Sequence, residues 1–373
     1  MAWVSALAAL TISVMLWTSR QERPQTPVSP GLPDALAAAA CGAAGVHAQH
    51  TLPGYGLAPP TAGVPSGSPA AVPSGSPPVC PKDAGEPLAS DFANVLAVPP
   101  SKQGATPGPG ASTGSFVSEC GRNENRHRNS DNFITGPGVS NAAHHVHDYV
   151  GNLTTDGRST NESLAAGGTT CRLGDLSVYF WPILRRIATV GSDVDADGGA
   201  KDGNVGEILS AASVRLEFLG NAQTKVEEMP RFLRLLTGDA KAGTNGPGNA
   251  RAQWTCTGFA NRVTTKYPLC ADGGVQRILE FPSCWDGKNT DSANHRTHVG
   301  FPAPDGGCPD GTRAVPRLRM TLTYSVPSGR SFALDSFPEQ RHNPLTDHGD
   351  FVNVMPDRLV ALAVDCINGG REC

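Results

Sequence analysis

Eight of the chain's ten cysteines, at positions 120, 171, 256, 270, 284, 308, 366 and 373, constrain it more than any other feature. An even, dispersed set with no C-x-x-C pair is a poor zinc-ribbon pattern and a good disulfide pattern, which calls for an oxidising compartment. Cys256 with Cys270 and Cys284 with Cys308 are expected to close local loops, and the pairing of the other four stays open. The runs between them are short and strand-like: Val214 to Leu219 "VRLEFL", Val275 to Phe281 "VQRILEF" and Leu318 to Val326 "LRMTLTYSV". Apolar residues alternate or cluster there over spans too short for helices. The expected fold is mainly β, sandwich-like, loop-rich and disulfide-stabilised, with minor helix.

Ahead of the cysteine-bearing region the composition changes. Residues 21–115 carry "PQTPVSPGLPD", "PSGSPAAVPSGSPPVCP" and "ATPGPGASTG", with PSGSP occurring twice. So little apolar surface among Pro, Gly and Ser cannot offset the entropy of ordering, so this segment reads as a disordered linker leading to a globular domain over 116–373. Residues 2–17 are apolar or small and read as a signal peptide or membrane anchor within 1–20. No basic residue precedes that run, and Arg20 and Arg23 follow it, an arrangement that by itself would keep the domain inside. A different start, an anchor whose topology these charges do not decide, or later processing near "AAAACGAAGVHA" would each reconcile it with the cysteines. The expectation is an extracellular or cell-envelope protein, touching membrane only through its N-terminal segment. Asn152 and Asn161 begin glycosylation sequons. With net charge −4 and no basic run, nothing suggests a nucleic-acid partner.

Polar chemistry gathers in three places. In "NAAHHVHDYVGN", Asn141 to Asn152, His145 and His147 are two apart and face one side of an extended strand, with His144 on the other. "FPSCWDGKNTDSANHRTHVGFP", Phe281 to Pro302, holds Trp285, Asp286, Lys288, Asp291, His295, Arg296 and His298, and "TDHGDFVNV" holds His348 and Asp350. Imidazole and carboxylate suit zinc, copper, iron or manganese, and they equally suit metal-free acid–base work or plain surface hydrogen bonding. "DVDADGGAKDGN" opens like a calcium loop at Asp193, Asp195, Asp197 and Gly198, but its twelfth position is Asn204 where a bidentate Glu is required. Calcium is therefore the weaker metal candidate. Trp181, Trp254 and Trp285 are expected to pack beside disulfides, any exposed indole offering a sugar-stacking face.

The ordered series "GVSNAAHHVHDYVGN", "SVYFWPIL", "RFLRLLTGDA", "QWTC", "FPSCWDGKNTDSANHRTHVGFP", "GGCP", "VPRLRMTLTY" and "HGDFVNVMPDRLVALAVDC" resembles the secreted actinobacterial and fungal domain of unknown function nineteen ninety-six. The resemblance covers nearly all of residues 116–368. It implies that His145, His147, Trp285, Asp286, Lys288, Asp291, His295, His298, His348, Gly349 and Asp350 stand at motif positions, and that the loop from Asp193 to Asn204 is an insertion. Val354, Met355 and Pro356 replace the more usual Gly-Trp-Asp.

Three histidine motifs recurring in distant parts of one chain are expected to converge on a single cleft. The candidate metal ligands are His145, His147 and His298, for a divalent transition metal. The same three with Asp286, Asp291 and Asp350 are the candidate catalytic groups of a polysaccharide hydrolase or lyase, and Trp285, Lys288, His295 and His348 are candidate ligand-binding groups. The partner expected is cell-wall polysaccharide. The competing expectation is a non-catalytic wall-binding or adhesion module whose histidines are structural.

Overall fold

The computed structural model describes residues 86–102, 104–187, 203–326 and 328–373. The apolar segment within 1–20, the linker up to residue 85 and the acids Asp193, Asp195 and Asp197 lie outside the described residues. Ten strands form two five-stranded sheets. They are β1 (Ser115–Ser118), β2 (Arg128–Asn129), β3 (His147–Gly151), β4 (Val178–Pro182), β5 (Ser213–Leu219), β6 (Arg234–Gly238), β7 (Trp254–Cys256), β8 (Gly274–Glu280), β9 (Arg317–Ser325) and β10 (His348–Val352). The first sheet runs β7-β8-β9-β5-β1 and the second β2-β3-β4-β10-β6, antiparallel throughout. The helices are α1 (Asn161–Ala166), α2 (Ala242–Asn245) and α3 (Asp357–Asn368).

The side-chain pattern explains how the sheets meet. Along β8 and β9, Val275, Arg277, Leu279, Leu318, Met320, Leu322 and Tyr324 are buried while their neighbours stay partly exposed, the period-2 signature of a sheet covered on one face. Strands β4 and β10 are buried at every position because both of their faces are covered. One face carries Tyr179, Trp181 and Phe351 into the first sheet, where Phe218 and Phe281 meet Phe351 and the Trp181 indole donates to the Tyr324 hydroxyl at 3.1 Å. Each such buried side chain contributes about 1.5–3 kcal/mol. The opposite face packs Tyr149, Val178, Phe180 and Val352 under Phe133, Ile134 and Leu164.

Two arginines are buried with carboxylate partners. Arg277 of β8 and Asp347 form an ion pair fully shielded from water, and Arg185 pairs with Asp335 in the same way. Gly349 sits where β10 approaches the first sheet: an added Cβ would lie 2.8 Å from Leu279 Cδ1 and 3.3 Å from Phe281 Cζ. Any larger residue there, between His348 and Asp350, must push the Leu279 side chain aside.

Among the described residues the disulfides are Cys120–Cys171, Cys256–Cys270, Cys284–Cys308 and Cys366–Cys373, so the two local loops pair as expected. They fit an oxidising extracellular setting. Among the described residues no helix is long and apolar enough to cross a membrane. Packed chain begins before residue 116. Residues 92–94 pair in parallel with 267–269, and Phe92 lies against Tyr267 and Phe332. The linker expected up to residue 115 therefore ends earlier, because composition averages Phe92 and Val95 with the Pro and Gly around them. Asn152 is buried, its amide donating to the carbonyls of Leu164 and Leu176, so its sequon is closed to sugar in the folded chain.

Candidate metal centre

Strands β3 and β10 flank β4, and each is antiparallel to it, so they run in the same direction with their N-terminal ends side by side. His147 opens β3 opposite Pro182; Asp350 of β10 pairs with Phe180, which sets His348, two residues earlier, on the row of Pro182. Two antiparallel neighbours separate the flanking backbones by roughly 9–10 Å, a gap that two imidazoles can close. His145 comes from the bend just before β3. His144 beside it adopts φ 57°, which turns its side chain out of line, and its ring lies 5.5 Å from that of Phe337.

The result is a buried triad. His145 Nε2 lies 3.1 Å from His147 Nε2 and 3.1 Å from His348 Nε2, and all three ligand atoms fall within 4.8 Å of one another. His147 Nδ1 donates to the Asp131 carbonyl at 3.0 Å, and His348 Nδ1 to the Thr346 carbonyl at 2.8 Å. Those bonds assign the protons of two neutral rings to Nδ1 and leave both Nε2 lone pairs facing His145 Nε2. At most one proton, on His145, lies among three converging nitrogens, and it satisfies one contact only. His145 Nδ1 is itself buried without a hydrogen-bond partner.

A tetrahedral ion at ~2.05 Å from each nitrogen would set them about 3.3 Å apart, close to the 3.1 Å of the two pairs that involve His145, the third pair lying within 4.8 Å. The backbone carbonyls on the far nitrogens of His147 and His348 are the outer contacts that orient metal-binding imidazoles. Burial is the main reason all three histidines are held below their ordinary range, with mutual repulsion adding to it for His145 and His147. They are neutral near pH 7, the form that binds metal without displacing a proton.

A pocket of about 210 Å³ opens on the triad, with His145, His348, Asp350, Arg296, Lys241 and Phe337 in its wall. Asp350 points to the same sheet face as His348. Burial pushes its carboxyl up to about 7, the Arg296 charge and a 3.4 Å hydrogen bond from Asn132 pulling the other way. A dication on the histidines would favour the ionised form. Lys241 lies over the Phe337 ring and 3.8 Å from Glu339. Asn204, at the last position of the calcium-like loop, donates to the His144 and Ser336 carbonyls and accepts from the Ser336 amide, clasping the segment ahead of the triad.

The model of the family described as Domain of unknown function (DUF1996) matches residues 134–354, more than half of the chain. The chain belongs to this family. No curated protein and no solved structure matches it. The matched segment of the DUF1996 domain contains all three triad histidines, Asp350, Arg296 and Lys241.

The other sequence candidates in the DUF1996 domain spend their polar atoms locally. His298, expected among the metal ligands, donates from Nε2 to the Arg234 carbonyl at 2.7 Å and meets Ser292 Oγ through Nδ1 at 3.0 Å, so neither nitrogen is left for an ion. The third nitrogen of the cluster belongs to His348 instead. Asp286 is drawn up by partial burial, but hydrogen bonds from Asn289 and Lys288 outweigh this and hold it below its usual range. Those bonds make it the hub of a turn. Trp285 donates to the Asn289 carbonyl in the same turn, and Lys288 is exposed. Asp291 pairs with His295 at 2.9 Å and with Arg234 at 3.8 Å. From the long 281–302 motif only Arg296 reaches the pocket wall. Asn132 and Asp131 carry no motif in the sequence, since one lines the pocket and the other orients His147 through its backbone carbonyl.

Proposed function

We propose that this is an exported, metal-dependent domain in which His145, His147 and His348 hold one divalent transition ion and act on cell-envelope polysaccharide. The observation that carries the reading is the convergence of three buried imidazole nitrogens that no arrangement of protons on neutral rings satisfies. Three histidines leave a coordination position open, the mark of a catalytic rather than a structural centre, and zinc suits the donor set best. Such an ion supplies a Lewis acid and an acidified water. The chain's own part is to exclude bulk solvent behind Phe337, to orient the rings through Asp131 and Thr346, and to place the Asp350 carboxyl beside the open face. Four disulfides suit an enzyme working outside the cell, and they are the basis for export.

The test is elemental analysis of the full chain purified with its disulfides formed, followed by incubation with wall polysaccharide and a reducing-end assay. One zinc per chain is expected, falling to a trace in His145→Ala/His147→Ala and in His348→Ala while His298→Ala retains it. Absence of stoichiometric metal from the unmodified chain refutes the centre. Retention on polysaccharide with no new ends released supports a non-catalytic wall-binding module in its place.

A further inference from the structure

Arg296 brings a partly buried guanidinium to the pocket wall. Its Nη2 donates to the Gly238 carbonyl at 2.7 Å, which fixes the guanidinium at the pocket wall. No carboxylate among the described residues pairs with it. Asp291 is engaged by His295 and Arg234, Asp239 accepts from Lys241 and Asn245, and Glu339 faces Lys241. Asp350 lines the same pocket and makes no ion pair with Arg296. A partly buried guanidinium is costly to leave without an anion, and its planar fork matches a carboxylate in two parallel hydrogen bonds.

We infer that the pocket takes a sugar unit bearing a carboxylate, a uronate, with the acid group on Arg296 and a ring or glycosidic oxygen toward the histidine triad. This rests on the metal reading above, which supplies the second anchor. The volume of about 210 Å³ lies below the roughly 300–1,000 Å³ of sites for drug-sized ligands, so it admits one unit of a polymer and not several. The apolar wall at Phe337, Ala142 and Ala143 offers a sugar face somewhere to rest. Lys241 is already balanced by Glu339, which leaves Arg296 as the basic side chain of the pocket wall that is free to choose the substrate's charge.

The experiment is titration calorimetry of the zinc-loaded full chain with galacturonate, with galactose and with inorganic phosphate. Galacturonate should bind at least tenfold more tightly than galactose, and Arg296→Gln should erase that difference while zinc stays at one per chain. Equal affinity for the two sugars overturns the inference, as does a preference that survives Arg296→Gln. Phosphate binding more tightly than galacturonate overturns the sugar assignment and makes the site a phosphate site. The two-sugar comparison on the unmodified chain decides the matter even if the variant fails to fold. An unmodified chain that holds no zinc defeats the metal reading itself, a result distinct from zinc bound with no charge preference.

Discussion

Asp347→Ala would remove half of an ion pair on which both the fold and the triad depend. Arg277 reaches from β8 into the second sheet, where it donates twice to the Asp347 carboxylate and, through Nη1 at 2.7 Å, to the Pro182 carbonyl. Pro182 is the cross-strand partner of His147, and Asp347 immediately precedes His348. One guanidinium thus ties together the two strands that present the nitrogens of His147 and His348. Burial disfavours its charge, and Asp347 outweighs that and keeps it firmly protonated. With both side chains fully shielded, deleting the carboxylate strands a buried cation, at a cost of about 3–5 kcal/mol against a typical stability of roughly 5–15 kcal/mol. In urea unfolding with disulfides intact, followed by tryptophan fluorescence, the midpoint should fall by about 1 M or more. The double variant Arg277→Met/Asp347→Leu removes both charges and should recover most of the loss. It leaves the Pro182 carbonyl unpartnered, for a residual cost of about 1–3 kcal/mol. A single variant costing less than about 1 kcal/mol, or a double variant no better than the single, would refute the reasoning.

Serine replacement of Cys120 and Cys171, 51 apart, should destabilise by about 4 kcal/mol, against about 2.5 kcal/mol for Cys366 and Cys373, 7 apart. Denaturant curves that reverse this order would show that native-state contacts, not loop closure, dominate. Gly349→Ala should cost about 1–3 kcal/mol by forcing Leu279 and Phe281 aside, and should weaken zinc binding by moving His348; an unchanged unfolding midpoint would contradict the close approach. His145 is held below its ordinary range in the fold, so when pH drops below about 6.5 the unfolded chain takes up a proton that the metal-free native site resists. Stability therefore falls toward pH 5 in chelator, and His145→Gln should show a smaller fall; an equal fall in both chains would mean that this histidine titrates normally.

Some of this was legible in the sequence because the signal is local. The strands β5, β8 and β9 match the apolar runs to within a residue, since alternation along a strand reports which face is buried without reference to any partner. Cys256–Cys270 and Cys284–Cys308 are close along the chain, and proximity made those pairs the natural ones. The family motifs picked out His145, His147, His348 and Asp350 together. The choice between His298 and His348 as third member of the histidine cluster was not legible, because both sit in polar motifs of similar composition. What separates them is the register of β10 beside β4 and the carbonyl of Arg234, which occupies one nitrogen of His298.

By itself, then, the sequence determined a disulfide-closed β protein and a short list of imidazoles and carboxylates, because periodicity, cysteine parity and motif order are properties of the chain. Tertiary structure decided which of them meet. Two strands aligned across β4, a glycine that lets β10 lie flat on its neighbour sheet, and an arginine tying both histidine rows are relations among residues up to two hundred positions apart. Such contacts arise only when the sheets pack, and they turn scattered histidines into one buried set of donors.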